Sequence, residues 1–125
     1  MLCDDKADLL KRYADGDRGF WGARLEDLDL SGMTLDDAVF WSATFSGTNF
    51  QGASLQRVSF RGCGLEETNF RETNLSGADF TNASLEEADF RGANLSNSNF
   101  ENASEYGYYY KGGQQPPTIW PDNEI

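Results

Sequence analysis

The chain has 125 residues, which is enough for a single domain with a small cap at each end. Ten Lys and Arg residues stand against 21 Asp and Glu residues, which gives a formal net charge of -11. That balance excludes the basic surface that phosphate binding requires, so we expect no direct binding to nucleic acid or to an anionic membrane. Two cysteines, Cys3 and Cys63, are too few for a disulfide framework, and no stretch approaches the roughly 18 apolar residues of a membrane span.

We expect no targeting signal in the first residues. The start, Met-Leu-Cys-Asp-Asp-Lys, has neither the basic region nor the apolar core of a signal peptide. We therefore expect a cytoplasmic protein. The alternative is the mature form of a periplasmic or thylakoid-lumen protein whose leader has been removed, and Met1 at the start disfavours it.

Residues 1–19 are expected to form an N-terminal cap. The pattern predicts a short helix from Asp4 to Ala14, with Gly16 ending it. One face of that helix is apolar and carries Leu9, Leu10, Tyr13 and Ala14. A cap is needed because the open end of a stacked β-structure exposes unpaired backbone groups.

A strict repeat of five residues begins at Phe20. Every position from 20 to 100 that is a multiple of five is Phe or Leu, and all nine phenylalanines of the chain fall on this set. The residue two positions earlier is usually small, most often Ala, and Gly or Asn often stands two positions later. A period of five fits neither a helix at 3.6 nor a strand at 2, but it fits a chain that turns a corner every five residues. Four corners make a coil of 20 residues, so residue n is predicted to stack on residue n+20.

The repeated sequences Ala78-Asp79-Phe80 and Ala93-Asn94-Leu95 resemble those of the pentapeptide-repeat proteins. The flanking segments 10–16 and 118–122 are similar to those of cyanobacterial members. The resemblance implies an all-β protein, a right-handed quadrilateral parallel β-helix of about four coils over residues 20–104. It implies little about function, because the family includes proteins of many kinds.

The stack predicts an interior of aromatic and leucine columns. Phe20, Phe40, Phe60, Phe80 and Phe100 share one side, and Leu30, Phe50, Phe70 and Phe90 share the opposite side. The other two sides carry leucines, with one phenylalanine at Phe45. Leu28 and Met33 break the rule of a small residue two positions before the corner, in the first coil, where a cap has room for them.

The repeat is expected to end in a C-terminal cap over residues 105–125. The frame fails at Glu105, and four tyrosines follow within five residues, at Tyr106, Tyr108, Tyr109 and Tyr110. A Gly-Gly and Pro-Pro loop then precedes Ile119 and Trp120. This composition predicts an aromatic cover that does not follow the repeat.

The sequence offers no catalytic, cofactor-binding or metal-binding residues. There is no histidine, no glycine-rich phosphate loop and no Cys/His cluster with metal-ligand spacing. Cys63 occupies an inward position and is expected to be a buried, unreactive thiol. We therefore expect a protein that is not an enzyme and carries no cofactor.

Stacking is expected to assemble an acidic edge from Glu66, Glu67, Glu86 and Glu87. Like charges about 4.8 Å apart repel, so this edge does not stabilise the fold. One interpretation is a docking site for a basic partner, or a mimic of a phosphate backbone. Another is a solvated surface partly neutralised by Arg71 and Arg91, and a third is a divalent cation held between the carboxylates.

A second candidate is an outward-facing column that begins with Trp21, Trp41 and Arg61, with Val39 beside it. An arginine next to two indoles predicts a cation–π stack. An uncovered patch of this kind is a candidate protein-binding surface. The alternative is that the N-terminal helix or the returning C-terminal tail covers it.

These features predict a non-enzymatic structural or protein-interaction module, monomeric, whose partner is another protein that the sequence does not identify. The alternative comes from the resemblance. Some pentapeptide-repeat proteins imitate the shape and charge of DNA and bind DNA gyrase or topoisomerase IV. The net acidity agrees with that alternative, whereas the short stack, the lack of an evident dimerisation segment and the uninterrupted repeats disagree.

Overall fold

The computed structural model describes residues 2–111, and these form a four-sided parallel stack with one helix before it and a short hairpin after it. The residue before each corner pairs in parallel with the residue 20 positions later, from Gly19 with Val39 to Ser84 with Ser104. The corner residues add to the same ladder, as in Phe60 N–H donating to Asp79 O at 2.7 Å. The predicted stacking of residue n on residue n+20 is therefore confirmed.

Each corner depends on one residue with positive φ, two positions after the Phe or Leu. This conformation recurs at every fifth position from 22 to 107. Glycine meets it without steric cost, as at Gly52 (φ 72°), and asparagine tolerates it, as at Asn82 (φ 64°). The same conformation is imposed on residues that rarely adopt it, among them Arg57, Glu67 and Glu87.

The core consists of the corner side chains and the small residues two positions before them. The Phe and Leu corners from 20 to 100 are buried, and rings of the same column stack, with Phe60 and Phe80 centroids 5.3 Å apart. Rings of the two opposite columns meet edge to face across the interior, as between Phe60 and Phe70. Where Thr or Cys replaces the small Ala, its polar atom donates to a main-chain carbonyl. The acceptor lies in the coil before for Thr68, which donates to Phe45 O, and in the same coil for Thr73, which donates to Phe70 O.

The N-terminal cap is helix α1, Lys6–Ala14, which begins two residues later than predicted because Asp5 is its N-cap. The Asp5 carboxylate accepts a hydrogen bond from Asp8 N–H at 2.7 Å, and Leu9 is fully buried against the first coil. The cap is tied to the coil by Arg24 N–H donating to Cys3 O and by the Tyr13 hydroxyl donating to Asp36 O. Leu28 and Met33 are partly buried against the core of this first coil, as expected.

The last described residues form a hairpin. Strand β1, Ser104–Glu105, pairs antiparallel with strand β2, Tyr108–Tyr109, through a two-residue turn. Both turn residues have positive φ, 50° at Tyr106 and 82° at Gly107, which is the type I′ geometry favoured in hairpins.

The predicted aromatic cover is correct for one tyrosine of the four. Tyr110 is buried, and its N–H donates to Ala103 O. Tyr106, Tyr108 and Tyr109 are exposed, because the hairpin turns them away from the core. Ile119 and Trp120, the other predicted members of the cover, lie outside the described residues.

Within residues 2–111, no helix has the length and apolar character needed to cross a bilayer.

Candidate protein-interaction surfaces

The stack brings the four glutamates of the acidic edge to one corner, as predicted. Glu66 and Glu67 follow the corner at Leu65, and Glu86 and Glu87 follow the corner one coil later. The coils are joined here by the hydrogen bond from Glu67 N–H to Glu86 O at 2.8 Å. Over the described part of the chain, no group of three or more Asp, Glu, Cys or His is arranged to hold a metal ion.

The lower half of the acidic edge is bound to the C-terminal hairpin. Glu86 Oε2 accepts a hydrogen bond from Tyr106 N–H at 3.1 Å, and Glu87 Oε2 accepts one from the Tyr106 hydroxyl at 2.6 Å. The bond to Glu87 raises the pKa of the Tyr106 phenol to about 12. Glu86 Oε1 is buried and has no hydrogen-bond partner among residues 2–111. Glu86 and Glu87 therefore anchor the hairpin, in addition to any role in binding.

The upper half of the edge is more accessible. Glu66 Oε1 accepts a hydrogen bond from the Ser46 hydroxyl at 3.1 Å, and the Glu67 side chain is exposed. Glu67 is held at φ 57°, a conformation disfavoured for a residue with a Cβ atom. Of the four predicted glutamates, Glu67 is thus the one presented to solvent without a contact to the hairpin.

Arg71 and Arg91 lie on the neighbouring side and share one carboxylate. Arg71 Nε is 2.6 Å from Asp89 Oδ2, and Arg91 Nη2 is 2.9 Å from the same oxygen. The two guanidinium groups also line a groove with Glu67 and Glu87. Both arginines therefore form their ion pairs with Asp89 and not with the glutamates of the acidic edge. The repeat pattern did not single out Asp89.

The second surface is the tryptophan patch, formed by Trp21, Val39 and Trp41. The two indoles lie with their ring centroids 6.1 Å apart at an interplanar angle of 36°. Trp41 Nε1 donates to Ser59 Oγ at 2.8 Å, and the ring of Trp21 lies over Gly19. The predicted stacking of the two side chains in one column is confirmed.

The described residues leave this patch open. Trp21 is 59% exposed and Trp41 is 47% exposed, so the alternative in which the N-terminal helix covers them is wrong. Helix α1 packs over the core of the first coil through Leu9 instead. The C-terminal tail, the other predicted cover, lies outside the described residues.

Arg61 follows the tryptophans in the same column but is oriented toward a carboxylate. Its Nε atom is 3.9 Å from Asp79 Oδ2. The cation–π contact found among residues 2–111 is instead that of Arg18, whose guanidinium carbon lies 3.6 Å from the Tyr13 ring centroid. The predicted stack of Arg61 on the indoles is therefore wrong, because Asp79 competes for the guanidinium.

The buried thiol is confirmed. Cys63 is 1% exposed, and its Sγ lies 2.7 Å from Phe40 O. Burial raises the pKa of this thiol to about 12. The Cys63 thiol therefore stays protonated and unreactive at neutral pH, as its inward position predicts.

The hydrogen bonds of Tyr106 to Glu86 and Glu87 were not predicted, although the 20-residue stacking register indicates that these residues lie close together. Tyr106 stands 20 residues after Glu86, so the stacking rule places the two on the same corner. The frame was expected to end at Glu105, and for that reason the rule was not extended one position further.

The sequence profile of the pentapeptide repeat region matches residues 33–106. The chain belongs to the pentapeptide-repeat family. No curated protein sequence matches the chain.

The chain is similar to several solved structures of pentapeptide-repeat proteins. Full-length QnrB1, a plasmid-mediated fluoroquinolone resistance protein, matches with 24% identity and a TM-score of 0.58, over 67% of this chain and 52% of QnrB1. The chain thus spans about half the length of QnrB1. The pentapeptide repeat protein alr5209 from Nostoc Pcc 7120 has 27% identity over 92% of both chains, with a TM-score of 0.46. A pentapeptide repeat protein from the Arabidopsis thaliana thylakoid lumen has 25% identity over 73% of this chain and 68% of its own, with a TM-score of 0.48. The parallel ladder of residue n on residue n+20 and the likeness to QnrB1 together identify the fold as a right-handed parallel β-helix.

Proposed function

We propose that this protein is a non-enzymatic protein-interaction module and that the tryptophan patch is its docking surface. The observation that carries the proposal is the exposure of two neighbouring indoles, 59% and 47%, on a rigid face of the β-helix. Tryptophan is strongly enriched among the residues that dominate binding energy at protein interfaces. A rigid face also reduces the entropy lost on association, because Trp41 is already held by Ser59.

The tryptophan patch is favoured over the acidic edge for a structural reason. Two of the four glutamates of that edge already hold the hairpin through Tyr106. Removing all four would therefore test the hairpin as well as binding. The acidic edge instead contributes attraction of a basic partner from a distance, through the net charge of -11.

The test is capture of partners on immobilised protein from the lysate of the source cells. Wild type is compared with a Trp21→Ala/Trp41→Ala variant and with a Tyr109→Ala variant, in which a residue of similar exposure is removed from a different surface. We expect a specific set of proteins to be lost from the tryptophan variant and kept by the Tyr109 variant. Capture that does not depend on either tryptophan contradicts the assignment of the patch.

The acidic edge is tested separately with Glu66→Gln/Glu67→Gln. This pair leaves the Tyr106 contacts to Glu86 and Glu87 intact. If the edge steers a basic partner, this variant associates more slowly, and the difference disappears at high salt. Loss of the complex at equilibrium would instead make the edge the main docking surface.

A second candidate function is mimicry of DNA toward DNA gyrase or topoisomerase IV. The net charge of -11 and the β-helix shared with QnrB1 favour it. A DNA mimic changes the activity of the enzyme in a supercoiling assay and loses that effect as ionic strength rises. No effect at low salt would remove this candidate and leave the interaction module unaffected.

We also propose a cytoplasmic, monomeric protein, with the periplasm or thylakoid lumen as the alternative location. The support for the location is the small number of cysteines, which is typical of a reducing compartment. Cell fractionation with an antibody against the protein tests the location, and light scattering tests the oligomeric state.

A further inference from the structure

One side of the stack carries opposite charges on its two borders. Two glutamates of successive coils form one border and two arginines of the same coils form the other: Glu67 and Glu87, then Arg71 and Arg91. Successive coils lie about 4.8 Å apart, so each border presents two like charges at that interval. The open groove between these four side chains is called the dipolar groove below.

The opposite charges of the dipolar groove do not pair with each other. Among residues 2–111, no ion pair within 4.0 Å joins Glu67 or Glu87 to either arginine, and both arginines pair with Asp89 instead. A gap therefore separates the carboxylates of one border from the guanidinium groups of the other. A ligand that carries both signs of charge can enter this gap and meet an opposite charge on each side.

Unused hydrogen-bonding capacity remains on both borders. Arg71 donates from Nε to Asp89, and its two Nη groups make no hydrogen bond within the described part of the chain. Arg91 donates from Nε and Nη2 to the same carboxylate, which leaves Nη1. On the other border, Glu87 accepts one hydrogen bond at Oε2, from the hairpin, and Glu67 accepts none from residues 2–111.

Asp89 fixes the two arginines in advance. Its side chain is 14% exposed, and its Oδ2 lies 2.6 Å from Arg71 Nε and 2.9 Å from Arg91 Nη2. The two arginine side chains stay 44% exposed, so their remaining N–H groups are accessible. Because long side chains lose entropy when a ligand orders them, prior ordering by Asp89 lowers the cost of binding.

We propose that the dipolar groove binds an extended segment of a partner protein that carries a basic and an acidic side chain two residues apart. In an extended strand, residues i and i+2 point to the same side and lie roughly 7 Å apart. The basic group lies between Glu67 and Glu87, and the acidic group accepts hydrogen bonds from Arg71 and Arg91. Each charge of the segment then meets two of opposite sign.

Two other classes of ligand fit the dipolar groove less well. A nucleic acid offers phosphates to the arginines, but the glutamate border repels its remaining phosphates. A small zwitterion would be enclosed on few sides, because the groove is open to solvent, whereas small-molecule sites bury most of their ligand. A protein segment needs only to lay its side chains in the groove.

Titration of the intact, isotope-labelled protein with blocked synthetic peptides, followed by NMR, tests the proposal. The probe is acetyl-Thr-Thr-Lys-Thr-Glu-Thr-Thr-amide. The control peptide, acetyl-Thr-Thr-Lys-Thr-Thr-Glu-Thr-amide, has the same composition, but its two charges point to opposite sides of a strand. We expect the probe to shift the side-chain resonances of Arg71 and Arg91 and to bind about threefold or more tightly than the control peptide.

Substitutions locate the binding. Glu67→Gln and Arg71→Gln should each weaken binding of the probe by about threefold or more. Arg57→Gln is the matched control, because it removes the same charge from another corner, where Arg57 also pairs with an aspartate at 2.7 Å. Arg57→Gln and Trp21→Ala/Trp41→Ala should leave the affinity unchanged, so failure of this proposal is distinguishable from failure of the tryptophan patch.

Four results would overturn the proposal. The first is the absence of any shift at a peptide concentration of about 10 mM. The second is equal affinity for the two peptides, which removes the requirement for an extended segment. The third is equal weakening by Arg57→Gln and Arg71→Gln, which assigns binding to the overall charge. The fourth is binding of γ-aminobutyrate at the same resonances with the affinity of the probe, which makes the site one for a small zwitterion.

Discussion

Phe70 is enclosed by aromatic rings on four sides. Its ring stacks on Phe50 at 5.5 Å and on Phe90 at 5.0 Å, nearly parallel in both cases. Phe60 and Phe80 of the opposite column meet it edge to face, at 5.7 and 5.9 Å. The ring is fully buried, so its removal leaves a cavity that rigid coils on both sides prevent from collapsing.

We therefore expect Phe70→Ala to lower the free energy of unfolding by about 3–5 kcal/mol, measured by urea or guanidinium denaturation. Tyr109→Ala is the control, because Tyr109 is exposed and its loss should change stability by less than about 0.5 kcal/mol. An unchanged denaturation midpoint for Phe70→Ala would contradict the packed aromatic column.

The identity of the buried residues was predictable from the sequence, and the contacts of the exposed ones were not. A corner every five residues fixes which side chain points inward, so Phe70 and Cys63 followed from their positions. The pairing of Arg61 with Asp79, and of Arg71 with Asp89, depends on the orientation of long side chains that the repeat does not constrain. The sharing of Tyr106 between Glu86 and Glu87 was missed for a different reason, because it requires the turn of a hairpin after the repeat ends.

At the level of the structural element, the tight turn after each corner determines which residue types suit each position of the repeat. Glu26 and Glu67 lie on the same corner of the stack, two coils apart. Glu26 is one residue after a leucine, and Glu67 is two residues after one. Glu67 has φ 57°, whereas Glu26 is not among the residues with positive φ. Glutamate therefore occurs here in two backbone conformations, and only the one at Glu67 has the positive φ that favours glycine.

We expect glycine substitution to separate these two positions. Glu26→Gly should destabilise the protein by about 0.5–1 kcal/mol, because glycine loses more backbone entropy on folding. Glu67→Gly should be neutral or stabilise it by up to about 1 kcal/mol, because it removes the cost of a Cβ atom at positive φ. Each variant loses one negative charge, so the difference in their thermal denaturation midpoints isolates the backbone effect. Equal changes in both variants would contradict this assignment of the turn.

The presence and register of the turns were predictable from the sequence. The range of residue types that adopt positive φ in them was not. Gly and Asn recur at many of the turn positions, and these residue types indicate positive φ by themselves. The charged residues at Arg57, Glu67, Glu72 and Glu87 adopt it as well, since the ladder on both sides holds the backbone in place. The start of helix α1 was misplaced by two residues because Asp4 and Asp5 are both acceptable N-caps.

At the level of the whole molecule, the stack behaves as a series of coils that each contact their neighbours. Cys63 lies in the interior of the third coil, with Phe40 before it in the stack and Ser84 after it. Reagents reach its sulfur only when the coils separate. Its reactivity therefore reports the opening of the stack and not the motion of a loop.

We expect Cys63, in a Cys3→Ala background, to react with a disulfide reagent at a rate that follows global unfolding and rises steeply with urea. The thiol pKa is about 12 in the folded state against an ordinary value of 9.0, so folding favours the neutral thiol. Its contribution to stability is therefore complete below pH 9 and is lost as the pH rises through 12. A rate that does not depend on urea would show that the thiol is reached by a local opening.

The correspondence of residue n with residue n+20 has a consequence for how such a gene can change in length. Duplication of a single five-residue unit would rotate all later residues by a quarter turn and would move the aromatic columns onto other sides. Duplication of a full 20-residue coil would add height and leave every side as it was. Selection that preserves a surface should therefore retain insertions of whole coils and eliminate most insertions of single repeats, although the five-residue unit is the one visible in the sequence.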